Sequence, residues 1–429
     1  MNKQYYPELD ETLYTNTLSN GLSVAVVPKP GFCKSIAYFV TDYGSIHQDF
    51  TLEGRHIHTP AGVAHFLEHK MFDLPGQRDV SAEFAAMGAS TNAFTSYDVT
   101  AYYFSTTDRF YDCLHLLLEF VSSPYFPEQS VVKEQGIIDQ EIGMTADTAD
   151  NVVFDNLMGA MYQNHNIRIP ILGTSDTIRQ ITPEILEDCH RAFYSPGNML
   201  LCVVGDVDPE QVCAMALEVL GPEKRPVGRK DPQPQEPMTV GRPEVEQTME
   251  VAMPMFSLGF KDRPMAPGQE AIRREMVGDL AAEALFGESS QLYLSLYQQG
   301  LIDSSFGGGY ETVDGCAMLM CSGDSRDPRA VREAIIQRAA QIQQEGLDEQ
   351  ALLRMKRSAL GRRIRGLDSF DGTCFRICAY HLSGFDYFRF PELYRSIEPQ
   401  DVLDFLEQVV GRDNNSLSII NPISKEEAL

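Results

Sequence analysis

Residues 59–72 read TPAGVAHFLEHKMF, and the organisation of the whole chain is inferred outward from this stretch. Thr59 is a suitable N-cap, and Pro60 suits the first position of a helix. Apolar side chains follow at mixed three- and four-residue steps, at Val63, Phe66, Leu67 and Phe72. The pattern predicts one helix over this stretch.

The predicted helix places two imidazoles and a carboxylate together. His65, Glu68 and His69 fall at positions i, i+3 and i+4, so their side chains share one helical face. Two neutral imidazoles four residues apart can bind one zinc ion, which leaves the carboxylate free to accept a proton from water. With 9 histidines and 61 acidic residues among 429, the pattern is expected by chance about 0.03 times. The alternative is that the two histidines only pack against a sheet. A third ligand elsewhere in the sequence is needed to favour a metal site over this alternative.

A candidate third ligand lies in PEQSVVKEQGIIDQEIGMTAD, residues 127–147, where the apolar positions predict a second helix. Glu134 and Glu141 are seven residues apart in this stretch. Seven residues is close to two helical turns, so the two carboxylates share a face. One of them can bind the metal while the other hydrogen bonds to a ligand.

The motif HFLEH, followed by these two glutamates, resembles the inverted-motif zinc proteases of the pitrilysin, insulin-degrading enzyme and mitochondrial processing peptidase family, the inverzincins. The resemblance covers essentially the whole chain and is most specific in the first half. It implies that His65, His69 and Glu141 bind Zn²⁺ and that Glu68 is the general base. It also implies that Glu134 is a carboxylate that supports a ligand from outside the metal shell.

A second segment, GASTNAFTSYDVTAYYF at residues 88–104, resembles the strand along which this family binds its substrate. The resemblance implies that Asn92, Ala93 and Phe94 lie along the bound peptide. The residues support a strand independently, because aromatic and β-branched side chains follow a turn signal at Gly88.

The architecture implied by the resemblance is an α+β fold of two homologous αβ repeats, each a mostly antiparallel sheet covered by helices. The sequence itself shows alternating strand and helix signals on both sides of a proline-rich stretch at residues 221–243. We therefore expect an N-terminal catalytic repeat at residues 1–220, a linker at 221–243 and a second repeat at 244–429. The second repeat carries no H-x-x-E-H motif, so it duplicates architecture rather than chemistry.

Three strands of the first repeat are predicted from short Val-rich or Ile-rich runs. Residues 20–30 open with an Asn-Gly turn signal and continue as a strand, and residues 35–46 are predicted to be its neighbour in the sheet. Residues 199–209, MLLCVVGDVDP, predict a buried strand that ends in a turn.

The second repeat departs from the family pattern at one point. Active relatives place an arginine and, seven residues later, a tyrosine where they bind the substrate backbone. Tyr297 and Asp303 stand approximately at these two positions here. Tyr310 follows three glycines in a predicted strand, and we assign it no role in substrate binding.

Composition limits the partners and the compartment. A net charge of −26 argues against nucleic acid or an anionic membrane surface as a partner and would attract a cationic peptide. Neither a signal-peptide pattern nor an apolar run of about 18 residues is present in the sequence. Nine cysteines without CxxC pairs fit free thiols in a reducing compartment, so we expect a cytoplasmic protein.

The combined prediction is a zinc-dependent endopeptidase that cleaves peptides or unfolded segments. The resemblance is closest to a bacterial group associated with aminopentanol modification of elongation factor P, whose active members usually occur beside a paralogue without the motif. Family members enclose peptides between two pairs of repeats, so a chain with one pair is expected to form a homodimer or a heterodimer with such a paralogue. Two alternatives are a catalytically idle family member that serves as a scaffold or partner subunit, and a zinc hydrolase that does not cleave peptides.

Overall fold

The computed structural model describes residues 1–76 and 78–423, which fold into two compact units. Both units are assembled from segments that alternate along the chain. The first unit comprises Met1–Ile142, Pro170–Pro232 and Ile364–Phe388, and the second comprises Gly143–Ile169, Gln233–Arg363 and the chain from Arg389 onward. One of the crossings, between Pro232 and Gln233, lies within the predicted linker. The segments of the two compact units alternate along the chain. The division of the sequence into repeats at 1–220 and 244–429 stays a prediction.

The strands are numbered in chain order. They are β1 (Asn2–Tyr6), β2 (Glu11–Thr17), β3 (Ser23–Pro28), β4 (Ser35–Thr41), β5 (Asp49–Leu52), β6 (Arg55–His58), β7 (Asp73–Leu74), β8 (Arg78–Asp79), β9 (Ser90–Thr95), β10 (Thr100–Thr106), β11 (Met199–Gly205), β12 (Arg229–Lys230), β13 (Glu244–Met249), β14 (Met255–Asp262), β15 (Gly307–Val313), β16 (Cys316–Asp324) and β17 (Asn415–Pro422).

The α-helices are numbered in the same way. They are α1 (Val63–Met71), α2 (Val80–Ala86), α3 (Phe110–Ser122), α4 (Glu128–Ala146), α5 (Ala149–Met161), α6 (Ser175–Ile178), α7 (Pro183–Phe193), α8 (Pro209–Leu220), α9 (Gln269–Phe286), α10 (Gln291–Gln298), α11 (Pro328–Glu345), α12 (Glu349–Gly366), α13 (Phe370–Leu382), α14 (Phe390–Ser396) and α15 (Pro399–Val409).

The first unit is built on a seven-stranded sheet in the order β1-β2-β3-β11-β4-β10-β9. Only the pair of β3 and β11 is parallel, and the other neighbours are antiparallel. The second unit has a five-stranded sheet in the order β13-β17-β14-β16-β15, in which only β13 and β17 are parallel. The predicted α+β class with two similar halves is confirmed.

The five strands of the second sheet match five strands of the first. Strands β3, β4, β9, β10 and β11 correspond in chain order, sheet order and direction to β13, β14, β15, β16 and β17. In the first unit α1 and α2 lie between the second and third of these strands, and in the second unit α9 and α10 do so. The correspondence identifies α9 as the counterpart of α1.

One helix of each half packs in the other unit. Helix α5, which follows α4 in the first half, contacts β14 and β17, whereas α13 from the second half contacts β4 and β11. These strands are equivalent in the two sheets. The exchange is therefore reciprocal, and it explains why the compact units are not continuous in sequence.

Helix α13 covers the face of the first sheet that is opposite the main hydrophobic core. Phe39 belongs to that core together with side chains of α1 and α3. The next residue along the strand, Tyr38, points to the other face and donates a hydrogen bond to Asp371 of α13, with an O···O distance of 2.6 Å. Because both faces are covered, β4 and β11 are buried along their whole length, as their continuous apolar runs suggest.

Two strand predictions need correction. Residues 35–41 form a strand, but β11 lies between it and β3, so the two predicted neighbours do not pair. The stretch 88–104 is a hairpin of β9 and β10 rather than one strand. The turn forms because the hydroxyl of Ser96 accepts the backbone N–H of Val99 at 3.1 Å, and the Ser96 N–H donates to the Val99 carbonyl at 2.8 Å.

All nine cysteines lie in the described residues and are free thiols. In the part of the chain that the structure describes, every helix is too short or too polar to span a bilayer.

Candidate metal centre

The helix that carries the two histidines begins later than predicted. Helix α1 starts at Val63, because Gly62 before it has the left-handed backbone angle φ of 91°. A Cβ atom at position 62 would lie 2.4 Å from the carbonyl oxygen of Leu172, so only glycine fits this turn. Thr59 is not the N-cap, since its hydroxyl donates instead to the carbonyl of Gln48 at 3.1 Å.

Three side chains of the types that bind metals converge between α1 and α4. Ligand atoms of His65, His69 and Glu141 all lie within 4.8 Å of one another. The Nε2 atom of His65 is 3.7 Å from Oε1 of Glu141, and the Nε2 atom of His69 is 3.6 Å from Oε2 of the same carboxylate. Two imidazoles and one carboxylate form a donor set that suits Zn²⁺ and leaves a fourth position for substrate. These residues fit the predicted metal.

The environment keeps His65 neutral. Burial, reinforced by the neighbouring His69, lowers the pKa of His65 to about 3. A neutral imidazole is the form that binds a metal. Its Nδ1 atom is buried and has no hydrogen-bond partner among the described residues, so packing rather than a hydrogen bond orients this ring.

The second histidine is oriented by Glu134. The Nδ1 atom of His69 lies 3.0 Å from Oε1 of Glu134, which leaves Nε2 directed toward Glu141. Burial acts to lower the pKa of His69, but the hydrogen bond to Glu134 and the charges of Glu134, Glu68 and Glu141 outweigh burial and raise it. A carboxylate that accepts the second N–H of a ligating histidine fixes the tautomer and increases the basicity of the ligand. Glu134 lies within hydrogen-bond distance of His69, and its supporting role stays a prediction.

Glu68 lies on the same face of α1 and is largely buried. Burial raises the pKa of Glu68 above the usual value for a glutamate, although a hydrogen bond from Thr95 and the nearby His69 oppose the shift. The hydroxyl of Thr95 donates to Oε2 of Glu68 at 2.6 Å. A carboxylate with a raised pKa can both accept and return a proton near neutral pH.

Sequence analysis did not identify Thr95. It is the last residue of β9 and directly follows Phe94, the last of the three predicted substrate contacts. Side chains alternate along a strand, so Thr95 points to the face opposite Phe94. The alternation would have placed a hydroxyl toward the helix, but nothing in the sequence shows that α1 packs at this point.

The three predicted substrate contacts lie on an edge strand. Strand β9 is the last in its sheet and pairs on one side with β10. Asn92 accepts the backbone N–H of Ala93 through its own side chain at 2.9 Å, and the ring of Phe94 lies 6.0 Å from that of Phe375 on α13. An edge strand presents backbone groups to which an extended peptide can add as a further strand.

The second unit contains the residues that stand near the predicted arginine and tyrosine positions. Tyr297 is 53% exposed on α10, and Asp303 lies in the loop that follows this helix. Tyr310 is buried and donates to Oδ2 of Asp262 at 2.7 Å, while Arg274 forms an ion pair with the same carboxylate at 2.7 Å. The buried network indicates that Tyr310 has a structural role.

Two parts of the chain match known protein families. Residues 55–175 match the family described as insulinase (peptidase family M16), and residues 180–359 match the peptidase M16 inactive domain. The second match begins after the HFLEH motif and after Glu141.

Three relatives are informative. An uncharacterized zinc protease of Bacillus subtilis, YmfH, is 36% identical over 98% of this chain and 99% of its own length. The crystal structure of an M16-like peptidase from Alicyclobacillus acidocaldarius superposes with a TM-score of 0.92, at 33% identity over 96% of this chain and 99% of that one. The mitochondrial-processing peptidase subunit beta of Dictyostelium discoideum is 29% identical over 50% of this chain and 45% of its own length. Because similarity extends over nearly the full length of two of these proteins, the chain belongs to peptidase family M16.

Proposed function

We propose that this chain is a zinc-dependent endopeptidase that cleaves peptides or unfolded segments. The observation that carries the proposal is the convergence of His65, His69 and Glu141 around one point, with the buried carboxylate of Glu68 beside them. The names of its relatives as zinc proteases support the same reaction class.

His65, His69 and Glu141 would hold the metal. When bound, Zn²⁺ supplies a Lewis acid that polarises the scissile carbonyl and lowers the pKa of water. Glu134 accepts the Nδ1 proton of His69 and so keeps Nε2 of that ring available as a donor.

Glu68 acts as the general base. Its pKa, raised by burial, suits a carboxylate that takes a proton from the attacking water and then passes it to the leaving amine. Thr95 donates to Oε2, so Oε1 remains the oxygen for proton transfer. The hydrogen bond also links the base to the strand along which the substrate would lie.

The substrate would bind as an added strand at the free edge of β9, with Asn92, Ala93 and Phe94 along it. Asn92 must release its own contact with Ala93 before a peptide can use this N–H. Only an extended segment can pair in this way, which favours peptides and unfolded regions over folded proteins. The net charge of −26 favours cationic substrates.

We propose that two chains form the working enzyme, as a homodimer or as a heterodimer with a paralogue that lacks the motif. The absence of the arginine and tyrosine from the two corresponding positions supports a partner that contributes substrate contacts. A relative named as a subunit of a peptidase fits this organisation. Nine free thiols support a reducing compartment such as the cytoplasm. The resemblance to the elongation factor P group stays a prediction.

Two other functions remain as alternatives. A catalytically idle scaffold is favoured by the match of the second half to the inactive domain of the family. That match covers residues 180–359, however, and does not include the three histidine and glutamate donors. A zinc hydrolase that does not cleave peptides would have the same metal centre but would accept small amides rather than strands.

The test is a digest of a diverse peptide pool, read by mass spectrometry, with wild-type protein alone, after chelator, and after zinc is restored. We expect internal cleavage that chelator abolishes and zinc restores. Cleavage of small amides but not of peptides would favour the hydrolase. Zinc-loaded protein that cleaves neither substrate would favour the scaffold, provided that the co-expressed paralogue does not restore activity.

A dilution series tests the dimer. Mass by light scattering and specific peptidase activity are measured together, with and without the co-expressed paralogue. We expect activity to fall as the dimer dissociates. A monomer whose specific activity is constant on dilution and unaffected by the paralogue would contradict the dimer.

A further inference from the structure

The residue after the second candidate ligand is a completely buried lysine. Lys70 follows His69 in α1, and its side chain has a relative exposure of 0%. Charged side chains are almost never fully buried unless they are paired. A buried charge at this position therefore calls for a specific partner.

Lys70 has two partners, and one of them belongs to the other metal-site helix. Its Nζ atom donates to Oδ2 of Asp73, just beyond the end of α1, and to the hydroxyl of Ser130 in α4. The Ser130 hydroxyl in turn donates to Oδ2 of Asp73 at 2.5 Å. These three side chains, here called the Lys70 clamp, join α1 to α4.

Ser130 of the clamp lies on the same face of α4 as the two carboxylates near the histidines. At about 100° per residue, Ser130, Glu134 and Glu141 fall within about 40° of one another around the helix axis. Ser130 is four residues before Glu134 and eleven before Glu141. A rotation or shift of α4 on α1 at the clamp would move both carboxylates.

Helix α4 has few other attachments. Only Val131 and Ile138 are buried among its 19 residues. Gly136 and Gly143, both inside the helix, have no neighbour within 4 Å of the position of a Cβ atom, so packing does not explain these weak helix formers. Gln135 adds a hydrogen bond to the carbonyl of Ile181 at 3.1 Å. Because few apolar side chains of α4 are buried, polar contacts contribute to setting its register on α1.

We propose that Lys70, together with Asp73 and Ser130, is a positioning device that sets α4 on α1 so that Glu134 and Glu141 meet the histidines. The inference rests on the proposed metal site. A lysine suits the task because its ammonium group offers three donors, enough to bridge a carboxylate and a hydroxyl on different elements. None of these three residues is itself one of the candidate metal ligands.

The test compares Ser130→Ala and Lys70→Met with Gln129→Ala, a control at the exposed residue beside Ser130. Zinc-loaded proteins are mixed with a colorimetric chelator, and the rate of zinc release is measured. We expect both clamp variants to release zinc about 10-fold to 100-fold faster than wild type, as for loss of groups that orient metal ligands. The control should match wild type. The double variant should release zinc more slowly than the product of the two single effects predicts, because both changes remove the contact of Lys70 with Ser130.

Thermal unfolding of the same proteins separates positioning from general stability. Unchanged zinc release with a lowered melting temperature would overturn the proposal and leave the clamp a purely structural feature. If Lys70→Met does not fold, Ser130→Ala carries the test alone, since it keeps the pair of Lys70 and Asp73. If the wild-type protein holds no zinc, the rate of amide hydrogen exchange in α4 of the metal-free proteins tests the proposal instead. Faster exchange at residues 130–142 in Ser130→Ala but not in Gln129→Ala would support the clamp, and equal exchange would overturn it.

Discussion

Helix α1 against strand β9 and helix α9 against strand β15 occupy the same place in the two units, yet they meet in different ways. In the first unit the contact is polar, since Thr95 of the strand donates to Glu68 of the helix at 2.6 Å. In the second unit a Cβ atom at Gly278 of the helix would lie 2.4 Å from the ring of Tyr310 on the strand. At these positions an ionisable group of the helix meets the strand in the first unit, whereas an aromatic ring of the strand packs against the helix in the second.

The difference shows what a duplicated fold leaves free to change. The strand order and directions are the same in both units, so the backbone does not decide which of them carries chemistry. In the second unit the polar ends of Tyr310 and Arg274 both engage Asp262, and no imidazole is present in α9. A few side chains between one helix and one edge strand therefore separate a candidate metal centre from a packed core.

The largest expected effect is on the first side of this comparison. Glu68→Gln keeps the size of the side chain and removes the proposed base, so peptide cleavage should fall by roughly 10²–10⁴-fold. Zinc should be retained, because Glu68 is not among the three converging donors. Steady-state cleavage of a fluorogenic peptide and metal analysis check both statements. Glu187→Gln, at an exposed position of α7, is the matched control and should behave as wild type. Wild-type cleavage by Glu68→Gln would show that another group is the base.

The second prediction addresses the packed counterpart. Gly278→Ala forces a methyl group against the buried ring of Tyr310, so we expect the free energy of unfolding to fall by about 1–3 kcal/mol. Zinc content should not change. Urea unfolding followed by circular dichroism provides the measurement. An unaltered unfolding midpoint would mean that α9 and β15 are not tightly packed and that the contrast between the units is weaker than described.

A smaller effect is expected where α1 and β9 are coupled in the first unit. Thr95→Val removes the hydroxyl that donates to Glu68 and should reduce peptide cleavage about tenfold, the size expected for one hydrogen bond to a charged group. This hydrogen bond lowers the pKa of Glu68, so its loss should raise that pKa and move the acid limb of the pH–rate profile to higher pH.

The control for this change lies on the same strand. Thr91 donates its hydroxyl to the carbonyl of Tyr103 at 3.0 Å, and Thr91→Val should leave the pH profile in place. If Thr91→Val and Thr95→Val alter the rate equally without moving the acid limb, the strand is disturbed and the hydrogen bond to Glu68 has no special role.

The smallest effect concerns a glycine with open space around it. Gly136 lies inside α4 and nothing is within 4 Å of the position of its Cβ atom, in contrast to Gly278. Gly136→Ala should therefore stabilise the protein by up to about 1 kcal/mol through helix propensity. We expect the melting temperature of Gly136→Ala to rise by a few degrees. A loss of stability would show that something approaches this face of the helix closely.

The local patterns of the candidate site could be predicted from sequence because they depend on helical spacing. His65 and His69 share a face by their separation of four, and Glu134 and Glu141 by their separation of seven, whatever the rest of the fold does. The start of α1 could not be predicted in this way. The loop at Leu172, about a hundred residues away in sequence, packs against Gly62 and excludes a helical turn there.

Long-range arrangement explains the other misses. Residues 199–205 insert between two strands that were expected to pair, and α5 and α13 exchange between the units. A strand order or an exchange depends on which surfaces meet after distant segments come together, and hydrophobic periodicity carries no information about it. The hairpin at Ser96 was missed for a different reason. Ser96 and Asp98 favour turns, and both were visible in the sequence.

The most direct measurement of the contrast between the units is the zinc content of wild-type protein, His69→Ala and His115→Ala, purified in parallel and analysed by mass spectrometry. His115 is an exposed histidine of α3 and serves as the matched control. We expect about one zinc per chain in wild type and His115→Ala, and less than about a tenth of that in His69→Ala. Full zinc occupancy in His69→Ala would contradict the assignment of the metal centre to α1 and α4.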